Sequence, residues 1–139
     1  MARVFDGAKT TISVGTIATL FPTGITPPTF EGGGEIDTTT LKNQSVRTRQ
    51  PKILKDLGEC SFSAQYDPAA IATLYGVIQT NQSIIITFAD TSTITFWGFV
   101  DSVSVGEITE GEAPTLDVTI IASNSDNTDP PAEQVPVFA

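Results

Sequence analysis

The chain has 139 residues, enough for one domain with one hydrophobic core. Its net charge of −9 and pI near 4.1 disfavour general nucleic-acid binding, since an acidic body repels phosphate and releases no condensed counterions. With no histidine and a single cysteine, Cys60, the composition excludes histidine-based catalysis, a Cys/His zinc site and an internal disulfide.

Residues 11–14 begin a first strand, with Ile12 and Val14 on one face. Gly15 is placed to bend the chain before a second strand over 17–21. Residues 22–30 read as a loop, marked by Pro22, Gly24, Pro27 and Pro28. Gly32, Gly33 and Gly34 keep the chain open until the Thr-rich, extended stretch 35–41. Residues 42–55 follow, and there the charge is uneven. This segment carries Lys42, Arg47, Arg49, Lys52 and Lys55 with no acid, while the rest of the chain sets Arg3 and Lys9 against sixteen acids. It has neither a period of 2 nor one of 3.6 and contains Pro51, so it reads as a long protruding loop or hairpin.

Residues 59–66 form the clearest strand. Cys60, Phe62, Ala64 and Tyr66 face one way, and Glu59, Ser61, Ser63 and Gln65 the other. One helix is predicted over about 68–80: Asp67 is an N-cap, Pro68 suits the first turn, and Ile71, Leu74, Tyr75 and Ile78 recur at helical spacing. Strands follow over 84–88 and 93–105, the latter with Phe96, Trp97 and Phe99. Residues 106–114 form an acidic turn, and Leu116, Val118 and Ile120 alternate in a last strand opposite Asp117 and Thr119. Asp101 falls in phase with Trp97 and Phe99, which predicts a bulge or an interface position there. The fold expected is mainly β: a β-sandwich or partly closed barrel over residues 1–123 with one flanking helix and a long protruding loop. Residues 124–139 are expected to form an extended, Pro-containing tail.

Chemistry is sparse. Cys60 lies in phase with Phe62 and reads as a buried small hydrophobe. Gly32, Gly33 and Gly34 lack the Lys and Ser/Thr of a phosphate loop and are flanked by Glu31 and Glu35. Glu107, Glu110 and Glu112 lack the order of a calcium loop. The Asn-x-Ser sequences at Asn43 and Asn81 occur without a secretory signal. No enzyme activity, catalytic residue, metal or cofactor is expected. The basic segment lacks interleaved aromatics for base stacking. A positive arm on a negative body is instead complementary to another copy of itself, and contacts of that head-to-tail kind build rings or open stacks.

The sequence of elements around Gly34-Glu35-Ile36, Tyr66-Asp67, Phe88 and Phe96-Trp97-Gly98-Phe99-Val100 with Ser102 and Val103 resembles the tail tube (major tail) proteins of long-tailed phages with non-contractile tails, over roughly residues 3–123. The resemblance implies a structural virion protein that self-assembles into stacked six-membered rings. A continuous β-barrel would form the inner wall, and a long loop would reach the adjacent ring. It also implies tape-measure, tail-terminator and tail-tip partners, passage of DNA without specific binding, and no membrane. The protein would be made and assembled in the bacterial host cytoplasm and reside in the virion tail. Lys42, Arg47, Arg49, Lys52 and Lys55 would form the inter-ring assembly loop, with Glu107, Glu110 and Glu112 as acidic docking partners. Glu59, Ser61, Ser63, Gln65, Asp117 and Thr119 would line the lumen or the exterior. The sequence leaves open which of these faces is the lumen, and a close relative such as a terminator or secretion-system tube. An alternative of another class is a carbohydrate- or surface-binding β-sandwich from a tail fibre or surface protein, using Trp97.

Overall fold

The computed structural model describes residues 7–15 and 18–139. Arg3 and the predicted start of the second strand at Ile17 lie outside the described residues. Among the described residues the fold is mainly β, with one short helix and antiparallel sheets that do not close into a barrel.

The largest sheet contains eight strands. Seven run in the order β2 (Ala18–Leu20), β1 (Thr11–Val14), β9 (Gln82–Thr87), β10 (Thr93–Val105), β11 (Thr115–Ala122), β8 (Cys60–Gln65) and β3 (Pro22–Thr26). The eighth, β12 (Val137–Phe138), pairs with β10. β10 is the corner of this sheet. Its first half pairs with β9 as far as Gly98, opposite Gln82, and its second half pairs with β11 from Gly98, opposite Ala122. One residue thus belongs to both ladders, and only glycine fits: a Cβ at Gly98 would stand 2.6 Å from the Ile121 carbonyl oxygen. Just beyond, the register skips Asp101 between Val100 and Ser102, the predicted bulge. Its physical effect is a change of phase. Phe96 and Val100 point into the core before the bulge, whereas Val103 packs on it after.

Strand alternation builds the core. Ile12 and Val14, Ile84 and Ile86, Leu116, Val118 and Ile120, and Cys60, Phe62 and Ala64 bury one face of their strands in a single cluster. Burial pushes the Cys60 thiol up to about 11, so it is a protonated core residue at neutral pH.

Helix α1 (Pro68–Gly76) packs against β10 and β2. Asp67 caps it, its Oδ1 accepting from the Ala69 N–H at 3.0 Å. The helix is shorter than predicted. After Gly76 the chain turns to pair with β10, where the Gln79 N–H donates to the Val100 carbonyl at 3.1 Å. The buried stripe is also shifted: Ala70 and Leu74 are buried, Ile71 and Ile78 are half-buried, and Tyr75 faces solvent.

The structure corrects one sequence reading outright. Within the predicted loop 22–30, Pro22–Thr26 is a strand paired with β8. Proline is tolerated there because it opens an edge strand, where a missing N–H breaks no interior ladder.

Candidate functional site

Two surfaces carry features that folding alone does not require: a protruding arm and a polar sheet face. The arm spans residues 30–57. β4 (Phe30–Gly32) pairs with β7 (Lys55–Leu57), and beyond Gly33 and Gly34, β5 (Glu35–Asp37) pairs with β6 (Arg49–Pro51). The segment 42–55 is therefore the tip and returning strand of a hairpin. Its outgoing strand brings acids that sequence inspection had placed apart from it. Arg47 Nη1 meets Asp37 Oδ2 at 2.9 Å, and Arg49 Nε meets Glu35 Oε2 at 2.9 Å. The Thr39 hydroxyl and amide, followed by Arg47, hold the Asp37 carboxyl below its usual range. Two of the five basic residues thus serve the arm itself. Lys42, Lys52 and Lys55 are in no ion pair among the described residues.

The tip is a built turn. The Asn43 N–H donates to the Thr40 carbonyl at 3.0 Å, Asn43 Oδ1 accepts from the Thr40 N–H at 3.0 Å, and Asn43 Nδ2 donates to the Val46 carbonyl at 2.9 Å. This knot presents Leu41 and Val46 to solvent at 105% and 73% exposure. Ile53 and Leu54, between β6 and β7, are also exposed. Sequence reading weighed the arm's charge and missed its apolar side chains, although all four stand next to basic residues or between them.

The polar face lies on the second half of the sheet. Register aligns it in rows across four strands: Thr26, Ser61, Thr119 and Ser102 form one, and Gly24, Ser63, Asp117 and Ser104 the next. Gln65 stands opposite Thr115. Two short polar patterns far apart in sequence are therefore one continuous surface. Ser63 Oγ donates to Asp117 Oδ1 at 2.6 Å. An open depression of about 530 Å³ lies over Gly24, Ser61, Ser63 and Asp117. No lysine or arginine stands in these rows.

Other candidates are placed as follows. Glu107, Glu110 and Glu112 are exposed on the turn between β10 and β11, and no metal-holding cluster of acids, Cys or His occurs among the described residues. Phe96 is buried, while Trp97 on the opposite face is half-buried beside Ser83. Residues 124–139 fold back along the body. Asp126 is the hub, its Oδ1 accepting from Thr128 Oγ1 at 2.6 Å and from the Thr128 and Ala132 N–H groups, and its Oδ2 from Gln134 Nε2 at 2.7 Å. Those donors hold its carboxyl far below the usual range, the Thr128 hydroxyl most of all. Phe138 then packs edge-on against Phe30 at the arm's base, ring centroids 4.9 Å apart.

No protein-family model matches the chain, and no curated protein matches it in sequence. Its fold is found in solved structures. A chain of the PVC sheath-tube complex, an extracellular contractile injection system in its extended state, superposes with a TM-score of 0.67 over 94% of this chain and 87% of that one, at 11% identity. A chain of the anti-feeding prophage (AFP) baseplate, solved with six-fold symmetrisation, superposes with a TM-score of 0.66 over 100% and 97%, at 8% identity. Likeness at these identities concerns the fold alone. It supports a tail-tube fold. Because the PVC complex is a contractile system, it does not carry the narrower expectation of a non-contractile phage tail.

Proposed function

We propose that this chain is the tube subunit of a phage-tail-like particle, a structural protein without enzymatic activity. Copies close into rings of six, and the rings stack into a hollow conduit. The face formed by β3, β8, β11 and the second half of β10 lines the bore, and the arm couples one ring to the next.

The observation that carries this reading is the continuous polar face, on a fold shared with injection-system chains. A bore must let its cargo slide. Side-chain hydroxyls offer weak hydrogen bonds that water replaces readily, and Asp117 repels phosphate. A lysine or arginine in those rows would instead hold a polyanion by charge-assisted hydrogen bonds. The opposite side of the same strands is apolar and already buried in the core, so this polar face is the one left to line the bore.

Negative-stain electron microscopy of the purified chain at rising concentration tests the reading. Rings and hollow tubes are expected. A chain that stays monomeric across that range, with or without a preformed tail-tip nucleus, contradicts it.

A further inference from the structure

We infer that the arm's tip, with Leu41 and Val46, seats in an apolar groove at the base of the arm of another copy of this chain. The inference rests on the tube reading above and deepens it by naming the receptor for the arm.

The groove has a volume of about 1040 Å³ and lies between the arm's base and the C-terminal segment. Its apolar wall includes Phe30, Ile53, Leu54, Val135 and Phe138, each more than half exposed. An unpartnered apolar wall of this kind, rimmed by charge, marks a protein contact site. The tip supplies matching chemistry. Leu41 and Val46 are apolar and exposed, and the Asn43 hydrogen bonds hold them in place, which lowers the entropic cost of docking.

Charge selects the occupant. Glu31, Asp56 and Glu133 stand at the groove against Lys55 alone, so it is net negative. The tip carries Lys42, next to Leu41 and in no ion pair among the described residues. The acidic turn at 106–114 has the same sign, but it offers a single exposed large apolar side chain, Ile108, against the five that line the groove.

An arm cannot fill its own groove. Leu41 is nine residues beyond Gly32, and at about 3.3 Å per extended residue the tip stands on the order of 20–30 Å from its own base. The contact is therefore between copies and heterologous, with tip on one side and groove on the other. A heterologous contact closes into a ring or runs on as an open stack; with the arm coupling one ring to the next, it runs on as a stack.

A cross-link tests this. The full chain carrying both Ser45→Cys and Val135→Cys is allowed to assemble, imaged by negative stain, and treated with a short bismaleimide. Ser45 is exposed on the tip beside Val46 and makes none of the proposed apolar contacts, and cysteine at the exposed position 135 keeps a small apolar side chain in the groove wall. Cys60 is buried and stays unreacted. Tubes together with a ladder of covalent multimers, absent from either single variant, are the expected result. Tubes without the ladder overturn the groove as receptor and leave the tube reading standing. A ladder without tubes upholds the tip-and-groove contact and overturns the tube. Neither product overturns both. As a second measure, Leu41→Asp is expected to melt as the parent does and to form no stacks, and stacks of parental length would overturn the assignment.

Discussion

The body and the arm use the same residue types in opposite ways. Among the described residues, the arm, residues 30–57, contains one of the sixteen buried hydrophobic ones, Leu57, but six of the fourteen exposed large ones. In the body, apolar side chains alternate into one core and leave hydroxyls outside. In the arm, Leu41, Val46, Ile53 and Leu54 face water while backbone ladders and ion pairs hold the hairpin's shape. The body is thus folded by burial within the chain. The arm's apolar surface gains by burial against something else, which is why we assign it to assembly.

Substitutions in the two regions should therefore separate stability from association. The largest effect is expected in the core. Leu74→Ala removes a fully buried side chain that joins α1 to the sheet and should cost about 2–5 kcal/mol, read as a fall in denaturant midpoint. Next comes the corner of β10. Gly98→Ala sets a Cβ against the Ile121 carbonyl and should cost about 1–3 kcal/mol through forced backbone shifts. Chemical denaturation showing no loss would mean that the corner relaxes freely. Removing the helix cap in Asp67→Ala should cost about 1 kcal/mol.

In the arm, a double-mutant cycle on Arg47 and Asp37 should return a coupling far smaller than any of these core effects, because the pair is exposed and screened. Leu41→Ala should change subunit stability by no more than about 0.5 kcal/mol while weakening assembly. A large stability loss there would break the contrast between the regions.

Acid titration sharpens the account of the C-terminal segment. The folded Asp126 carboxyl ionises below its ordinary value of 3.8. Its stabilising contribution is therefore full above that value and is lost as the pH falls below it toward the folded value. Asp126→Asn should flatten the acid limb of the stability curve, and an unchanged limb would remove Asp126 as the clamp.

This contrast also explains what was legible in sequence. Alternation such as Cys60, Phe62 and Ala64 is imposed by a buried face, so β1, β8, β9, β10 and β11 could be read directly. The bulge at Asp101 was readable because it disturbs that alternation. The strand at Pro22–Thr26 was hidden because an edge strand accepts proline and glycine, the residues that otherwise signal a loop. The arm's pairing was hidden for a different reason. Its ladders bury almost nothing, so no periodicity records them. The charge pattern showed five cations, but only the fold reveals that Glu35 and Asp37 lie across the hairpin from two of them. The polar face was visible as two separate patterns, and register alone joined Ser61 to Thr119 and Ser63 to Asp117.

The central claim is that this polar face becomes the wall of a bore. Ser61 is exposed in the middle of it. The direct measurement is the rate at which a bulky polyethylene-glycol maleimide labels Ser61→Cys in isolated subunits and in assembled tubes. We predict ready labelling of subunits and strong protection in tubes. Equal rates in the two states would place the face on the outside and contradict the account.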